Sequence, residues 1–280
     1  MPDAKVLSRG DTHLIRFEKR SIRVGHFPIG IDFESFENGA KSEAVAQRSQ
    51  QLRANFSGCQ LILGSDRLDY SKGIPERLRA FRDALERYPE MRGRIVLIQI
   101  VVPSRVEIPR YHEFKGRIDQ LVGDINGRFS TSTWIPVQYH FRGFEREELL
   151  AHYRACDIAF ITPLKDGMNL VAKEYCACRS DENGTLILSQ FAGAAEQLKH
   201  DALLVNPYDV EQMADTIVNA FRMSPAERTA RMKRMRRMIR KENVFCWVDS
   251  FLKAGATAGM PSSRAFKKRR RSRVLQNAKA

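Results

Sequence analysis

Short apolar runs alternate with amphipathic segments along most of this 280-residue chain, and this alternation restricts the fold more than any other feature. The apolar runs predict buried strands at residues 60–64, 95–102, 135–139, 158–161, 185–189 and 202–205. The segments between and after them predict helices, among them residues 75–88, 109–125, 145–155 and 210–221. Strand and helix alternate at least five times without an internal repeat. This predicts an α/β fold with a Rossmann-like, doubly wound parallel sheet, whose ligands bind at the carboxyl ends of the strands.

The two ends of the chain lack this alternation. Residues 1–20 carry mixed charges without a core signal, and we interpret them as a ragged N-terminal segment. Apolar spacing predicts a short strand at 21–29, and sparse apolar spacing predicts a surface helix at 40–56. We therefore predict one Rossmann-like domain over residues 21–258, followed by a basic, disordered tail over residues 259–280.

Two helices are expected near the end of that domain. A capping box at residues 224–227 predicts the start of a basic helix. Met232, Met235 and Ile239 are spaced as a buried stripe on it, and a methionine stripe of this kind is typical of core packing. Aromatic and aliphatic residues between 245 and 252 predict one more amphipathic helix.

The net charge of +14 raises the question of nucleic-acid binding. Residues 261–280 carry +8 of this charge with no acidic residue, so the other 260 residues carry +6. A terminal run of like charge is typical of a disordered tail, which binds polyanions only non-specifically and with strong salt dependence. The sequence has no aromatic-plus-basic RNA platform and no zinc-finger spacing. We predict no specific nucleic-acid partner.

Hydropathy and cysteine usage indicate the compartment. No apolar run is long enough to span a bilayer, and the first residues do not resemble a signal peptide. The five cysteines are odd in number and lie mostly in apolar or helical stretches, which favours reduced structural thiols. Cys176 and Cys178 lie on different faces of a helix, so a metal site there is not expected. We predict a cytoplasmic protein with no membrane partner.

The stretch from Thr162 to Glu174 carries the most chemical information. It follows the predicted strand 158–161, contains Asp166-Gly167, and then has helical spacing. Unpaired N–H groups at the start of a helix, together with the helix dipole, favour an anion such as phosphate. Glu174, about two turns into the helix, could reach a sugar hydroxyl. The alternative is an ordinary strand-to-helix turn with a solvated glutamate.

Two other loops at predicted strand ends contain cations. Arg67 and Lys72 flank a turn, and an arginine fork with a lysine point charge suits a diphosphate. Pairing of Arg67 with Asp66 or Asp69 is the alternative. Arg105 offers a partner for a phosphate or carboxylate, with a surface salt bridge as the alternative.

Several common enzyme motifs are absent from the sequence. There is no P-loop pattern and no Gly-x-Gly-x-x-Gly, so neither an ATPase nor a nicotinamide enzyme is supported. A Gly-x-Ser-x-Gly elbow is also absent. The six histidines have no spacing that suggests a metal site.

Four motifs resemble those of the trehalose-6-phosphate synthase family of retaining glucosyltransferases, glycosyltransferase family 20. They are RLDYSKG at 67–73, TPLKDGMNLVAKE at 162–174, LSQFAGA at 188–194 and VNPY at 205–208. The resemblance covers about residues 20–255. It implies a GT-B architecture of two Rossmann-like domains, of which this chain resembles the C-terminal, nucleotide-sugar-binding half.

The resemblance also implies roles for individual residues. Arg67 and Lys72 match positions that hold the donor diphosphate and stabilise the leaving group, and Asp166 matches the acid that contacts the donor glucose. These three are the expected catalytic residues. The expected donor-binding residues are Asn169, Leu170, Val171 and Glu174. The backbone amides around the first three match the helix start that faces the donor phosphate, and Glu174 matches the residue that binds the ribose. Arg105 matches an arginine near the acceptor phosphate.

The implied reaction transfers glucose from a nucleotide sugar, with UDP-glucose as the expected donor, to glucose 6-phosphate, with retention and without a metal or other cofactor. The product is trehalose 6-phosphate. A related group uses glycerol 3-phosphate as acceptor, so glucosylglycerol-phosphate synthesis is an alternative. The family's N-terminal half has no counterpart in this sequence. The chain is therefore expected to need a separate N-terminal-half polypeptide, or to be a non-catalytic nucleotide-sugar-binding remnant.

Overall fold

A computed structural model describes residues 5–9, 12–17, 20–105 and 107–259. The described strands are β1 (Lys5–Arg9), β2 (Thr12–Phe17), β3 (Arg20–Gly25), β4 (Gln60–Arg67), β5 (Ile95–Val102), β6 (Val137–His140), β7 (Ile158–Ile161), β8 (Thr185–Ser189) and β9 (Leu203–Val205). The described helices are α1 (Phe33–Lys41), α2 (Glu43–Ala54), α3 (Ile74–Arg87), α4 (Pro109–Phe129), α5 (Arg146–Ala155), α6 (Leu170–Cys178), α7 (Ala194–Leu198), α8 (Val210–Arg222), α9 (Pro225–Lys241) and α10 (Val244–Gly259). These residues divide into two compact units. One contains Gly30–Asn243, and the other contains the described residues up to Ile29 and from Val244 onward.

The larger unit is built on a six-stranded parallel sheet with the strand order β6-β5-β4-β7-β8-β9. Chain order runs outward in both directions from the centre, so the direction of winding reverses between β4 and β7. This is the doubly wound arrangement that the alternation of strands and helices predicted, and that prediction is confirmed. In such sheets, ligands bind in the crevice where the winding reverses.

The strands are almost continuously apolar because helices cover both faces of the sheet. The bounds of β5, β7 and β8 agree with the predicted runs. The strand predicted at 60–64 extends further, to Arg67 in β4, and every residue from Leu61 to Asp66 is buried. Polar residues can continue this strand because the Asp66 carboxylate pairs with Arg77.

The surface helix predicted at 40–56 is α2 (Glu43–Ala54), and the helix α1 that precedes it was not predicted. Ser42 separates them, and its Oγ accepts a hydrogen bond from Val45 N at the start of α2. Asp32 caps α1 in the same way through Ser35 N. A capping side chain of this kind starts a new helix even where the polar pattern continues.

The methionine stripe of α9 and the start of this helix at Ser224 are confirmed. Met232, Met235 and Ile239 are buried, and Ser224 Oγ accepts a hydrogen bond from Glu227 N at 3.2 Å. Cys176 and Cys178 are also buried. In the part of the chain that the structure describes, no group of three or more His, Cys, Asp or Glu residues could hold a metal ion.

The smaller unit contains a three-stranded antiparallel sheet of order β1-β2-β3 and the helix α10. Residues 1–20 were predicted to carry no element, but β1 and β2 lie there, and the predicted boundary at residue 21 falls inside β3. Within this unit, Trp247 Nε1 donates to Phe27 O at 3.1 Å. A basic tail was predicted over residues 259–280. Residues 260–280 lie outside the part of the chain that the structure describes. None of the described helices is long and apolar enough to cross a membrane.

The turn between β4 and α3 comes very close to the end of β7. Gly73 lies at this turn with φ of +64°, in the left-handed region that favours glycine. A Cβ atom added to Gly73 would lie 2.2 Å from Thr162 O. Glycine is therefore required here both for its backbone conformation and for the space beside the neighbouring strand.

We expect Gly73→Ala to lower the free energy of unfolding by at least about 1–2 kcal/mol, because alanine is strained at this φ and its Cβ contacts Thr162 O. Urea denaturation measures the change. Gly116→Ala in the middle of α4 is the matched control, since a Cβ there meets no atom within 4 Å. It should raise stability by about 0.5–1 kcal/mol. Equal effects of the two substitutions would contradict this account.

Candidate functional site

The sequence-predicted cations and acid meet at the crevice between β4 and β7. Arg67 is the last residue of β4, and Lys72 ends a short 3-10 turn that follows it. Asp166 lies in the loop after β7. Lys72 Nζ is 2.6 Å from Asp166 Oδ2, and both side chains are mostly buried. The fold thus brings together two charged groups that are 94 residues apart in sequence.

The loop after β4 is stabilised by its own hydrogen bonds. Asp69 Oδ1 accepts from Ser71 N at 2.9 Å and from Ser71 Oγ at 2.7 Å. Burial tends to raise the pKa of Asp69, but these hydrogen bonds and the charges of Lys72 and Arg67 outweigh it and hold the pKa below its ordinary value. The backbone oxygen of Ser71 accepts from Leu164 N at 2.7 Å, which joins this loop to the loop after β7.

Arg67 does not pair with Asp66. Asp66 bonds Arg77 instead, and Asp69 is occupied by Ser71. Arg67 is exposed and forms no hydrogen bond or ion pair with any residue that the structure describes. Its guanidinium is therefore accessible to an external anion beside the Lys72–Asp166 pair.

A buried arginine forms the floor of the crevice. β4 and β7 pair only at Ile62–Leu63 with Ile158–Ala159 and then separate. Arg77, fully buried on α3, bridges the gap: its Nη1 donates to Asp66 Oδ2 at 2.5 Å and its Nε to Thr162 Oγ1 at 3.2 Å. Burial raises the pKa of Asp66, and the Arg77 charge offsets part of this rise.

The same guanidinium reaches two more groups. Nη1 of Arg77 also donates to Gln99 Oε1 on β5 at 3.2 Å, and Nη2 donates to Lys72 O at 3.4 Å. Arg77 therefore links three strands and the loop that carries Lys72. The sequence analysis missed this residue. The signal was its position on the apolar face of α3, four residues before Phe81, where a charge requires a buried partner.

The start of α6 has the geometry expected of an anion site. Asn169 adopts φ of +69°, and its Oδ1 caps the helix by accepting from Ala172 N at 3.2 Å. Its Nδ2 donates to Asp166 Oδ2 at 3.2 Å. The N–H groups of Leu170 and Val171 are in the first helical turn, where no intrahelical acceptor exists. Asp166, Asn169 and these amides thus form one connected cluster.

A third loop supports the cluster from β8. Asp166 N donates to Phe191 O at 3.2 Å, and Gly193 N donates to Asp166 O at 3.0 Å. A Cβ on Gly193 would lie 2.1 Å from Gly167 O. The absence of a side chain at Gly193 therefore allows the loop after β8 to approach the loop that carries Asp166.

Glu174 lies further along α6 and is half-buried. Its Oε2 accepts from Tyr153 Oη at 2.9 Å. Burial raises the pKa of Glu174, and the Tyr153 hydrogen bond and the Arg146 charge only partly oppose this. Tyr153 on α5 is fully buried and was not singled out from the sequence.

Arg105 follows β5, next to β4 in the sheet, with φ of +51°. Its Nη1 donates to Tyr111 Oη at 3.1 Å. The ring of Tyr111 is 6.1 Å from that of Tyr70, which belongs to the loop that carries Lys72. Arg105 is exposed, and among the described residues it forms no salt bridge, which was the alternative interpretation.

These features identify the class of domain to which the larger unit belongs. A doubly wound parallel sheet with cations and a capped helix start at its point of reversal is a Rossmann-like nucleotide-binding domain. The family model described as Glycosyltransferase family 20 matches residues 3–256, and the chain belongs to this family. The family and fold predicted from the motifs, the C-terminal half of a GT-B glycosyltransferase, are confirmed.

Curated relatives agree with this assignment. The chain is 41% identical over 238 residues to an alpha,alpha-trehalose-phosphate synthase [UDP-forming] of Pichia angusta. The matched region covers 85% of the chain and 50% of the relative. It is 42% identical over 233 residues to a bifunctional trehalose-6-phosphate synthase/phosphatase of Thermoproteus tenax, covering 83% of the chain and 32% of the relative. The chain thus spans about half the length, or less, of these relatives.

Solved structures are also similar. A Burkholderia xenovorans alpha,alpha-trehalose-phosphate synthase (UDP-forming) in complex with glucose-6-phosphate has a TM-score of 0.85 and 36% identity, covering 90% of this chain and 55% of that one. An E. coli structure bound with UDP-2-fluoro glucose has a TM-score of 0.84 and 37% identity, with the same coverage.

We expect Arg77→Met to lower the free energy of unfolding by about 3–5 kcal/mol, because it leaves the buried Asp66 carboxylate without its counter-charge. The double variant Asp66→Asn, Arg77→Met should recover part of this loss, since the uncompensated charge is then removed. Urea denaturation at neutral pH measures both. A single variant as stable as the wild type would show that the pair does not support the crevice.

A second prediction concerns Glu174. Its pKa is higher in the folded state than in the unfolded chain, so the folded state holds the proton more tightly. The folded state therefore loses stability as pH rises from the ordinary glutamate pKa to the raised pKa of Glu174. Glu174→Gln keeps an acceptor for Tyr153 and removes the charge. The variant should be more stable than the wild type at pH 7, and the difference should vanish below the ordinary glutamate pKa. Thermal unfolding across this pH range measures it, and a difference that grows on acidification would contradict the account.

Proposed function

We propose that this chain is the donor-binding half of a retaining glucosyltransferase that transfers glucose from UDP-glucose to glucose 6-phosphate and forms trehalose 6-phosphate. The observation that carries the proposal is the Lys72–Asp166 pair beside an accessible Arg67 and the start of α6. It is supported by relatives that are named as UDP-forming synthases and by similar structures bound with UDP-2-fluoro glucose or glucose-6-phosphate.

Arg67 and Lys72 bind the donor diphosphate in this proposal. The Arg67 guanidinium binds oxygens in a fork, and the Lys72 ammonium acts as a point charge. Negative charge grows on the diphosphate as its bond to the sugar breaks, and both cations lie where this charge develops. Stabilisation of the leaving group is therefore the main contribution of this half to the rate.

The donor changes the partners of Lys72. In the structure its ammonium is paired with Asp166. A bound diphosphate draws Lys72 to itself, which leaves Asp166 Oδ2 free to accept hydrogen bonds from the glucose hydroxyls. Asn169 and the Leu170 and Val171 amides bind phosphate oxygens at the positive end of α6. Glu174 holds the ribose hydroxyls through the carboxyl oxygen that Tyr153 does not occupy.

The acceptor is held by Arg105, whose exposed guanidinium binds the phosphate of glucose 6-phosphate. The bond between the anomeric carbon and the diphosphate oxygen breaks, and the nucleoside diphosphate leaves with the electron pair. The acceptor hydroxyl bonds to the same face of the anomeric carbon. Its proton passes to the leaving phosphate oxygen, so retention is achieved without a cofactor, and no step requires a metal ion.

The chain spans about half the length of the relatives, or less, and the part that they have in addition is the expected partner. We propose that a separate N-terminal-half polypeptide, or a further part of a longer chain, supplies the other wall of the cleft. The exposure of Phe251 and Leu252 on α10, at 52% and 62%, supports an apolar surface that such a partner could cover. In the described residues the five cysteines form no disulfide, which supports the proposed cytoplasmic location. The proposed role in osmolyte synthesis rests on the proposed product alone.

Calorimetric titration with UDP and UDP-glucose tests the donor site. The wild-type chain should bind both, and Arg67→Ala, Lys72→Ala should weaken binding at least ~100-fold, because two charge-assisted contacts of about 1.5–3 kcal/mol each are lost. Lys115→Ala, Arg117→Ala, which also removes two positive charges but on α4, should bind like the wild type. A wild-type chain that is folded by circular dichroism but binds neither ligand would overturn the proposal.

The same titration distinguishes the acceptors. With UDP at saturation, glucose 6-phosphate should bind more tightly than glycerol 3-phosphate, and Arg105→Ala should weaken both because each carries a phosphate. Tighter binding of glycerol 3-phosphate would assign the chain to glucosylglycerol-phosphate synthesis. Donor binding without binding of either acceptor would indicate a non-catalytic nucleotide-sugar-binding role.

A further inference from the structure

The positive charge of this chain is concentrated in two segments. Of the net charge of +14, residues 261–280 carry +8 and helix α9 carries +7, so all other residues together carry −1. Seventeen residues of α9 include eight arginines and lysines and one glutamate. Helix α9 therefore accounts for the whole net positive charge of residues 1–260.

Part of this charge is neutralised within the fold. Arg231 pairs with Glu227, Arg236 with Glu37, and Arg240 with Glu34 and Glu37. Arg236 also donates to the Cys176 and Ala177 carbonyls, at the end of α6 that is opposite to the donor site. These cations attach α9 to the domain.

Four of the five other cations form an exposed stripe along α9: Lys233, Arg234, Arg237 and Lys241. Arg237 lies four residues after Lys233, three after Arg234 and four before Lys241, so the four share one face, opposite the buried Met232 and Ile239. Arg234 bonds Asp201 at 2.7 Å but remains 58% exposed. Lys233 and Arg237 form no hydrogen bond or ion pair within the described ranges. Lys233 and Arg237 therefore keep their charge available to a partner.

A groove of about 320 Å³ runs beside this stripe, between α9 and the end of α7. Its lining residues include Leu198, His200, Asp201, Arg234, Arg237 and Met238. Leu198 forms part of the apolar floor, and Met238 is 39% exposed at the edge. The surface thus combines a row of cations with an apolar depression, and Asp201 is the only carboxylate among the groove's lining residues that the structure describes.

The composition of the groove favours a protein partner over a nucleic acid. Phosphate backbones gain nothing from leucine and methionine, and sequence-tolerant nucleic-acid sites use aromatic rings for stacking. Phe, Tyr and Trp do not occur among the lining residues. Arginine and methionine are enriched at protein interfaces, where methionine adapts to different partners.

We propose that the α9 stripe and its groove dock an acidic amphipathic helix of a partner protein. Lys233 and Arg237 are four residues apart, which is about 6 Å along the helix axis. Carboxylates at every fourth position of a partner helix have the same spacing and can face these cations. Apolar side chains on the adjoining positions then enter the groove beside Met238. The docking surface is independent of the donor site, because α9 contacts the opposite end of α6.

Fluorescence anisotropy with a synthetic probe tests this surface. The probe is a labelled helical peptide with glutamates at every fourth position and leucines beside them. A scrambled peptide of the same composition and a poly-uridylate RNA are the comparison ligands. The full chain should bind the amphipathic probe at least ~10-fold more tightly than either comparison ligand at physiological ionic strength.

Variants locate the interaction. Lys233→Glu, Arg237→Glu should weaken probe binding at least ~10-fold, because like charges then face each other. Arg48→Glu, Arg117→Glu makes the same change of charge at exposed positions on α2 and α4 and should leave binding unchanged. Titration of UDP should be identical in both variants, which shows that they are folded. Equal loss in both variants, equal affinity for the scrambled peptide, tighter binding of the RNA, or no binding of the probe would overturn the proposal.

Discussion

The structure of the site depends on one buried guanidinium. β4 and β7 pair over two residues and then separate, and this separation creates the crevice that a ligand can enter. A gap between two buried strands would leave polar groups without partners, which is costly in an apolar interior. Arg77 fills the gap and bonds Asp66 on one strand and Thr162 after the other. The bonds of Arg77 to both sides of the gap thus hold the crevice open and also satisfy the polar groups that line it.

Much of the fold and of the site could be predicted from the sequence. Strands buried on both faces must be apolar along their whole length, so the bounds of β5, β7 and β8 could be read from composition. In a doubly wound sheet all carboxyl ends meet at one edge. The loops after β4, β5 and β7 therefore had to lie together, and Lys72 and Asp166 are in fact in contact.

Other features depend on tertiary contacts that no local pattern encodes. Arg77 is an ordinary cation in sequence, and only the arrangement of three strands shows that it is enclosed. Tyr153 gains its role from Glu174, which is on a different helix. The break between α1 and α2 depends on whether Ser42 caps a new helix or continues the old one. Short strands such as β1 and β2 have too few residues for a clear alternation.

The ion pair between Lys72 and Asp166 has a consequence for selectivity. A bare lysine in a narrow crevice would attract any small anion in the cell, including inorganic phosphate and chloride. Because Asp166 lies 2.6 Å from Lys72, the crevice is closer to electrical neutrality, and an anion must compete with a carboxylate already in place. A singly charged anion gains little from that exchange. A ligand that offers two phosphates together with hydroxyl groups for the displaced carboxylate replaces both halves of the pair, so the pair discriminates against abundant simple anions.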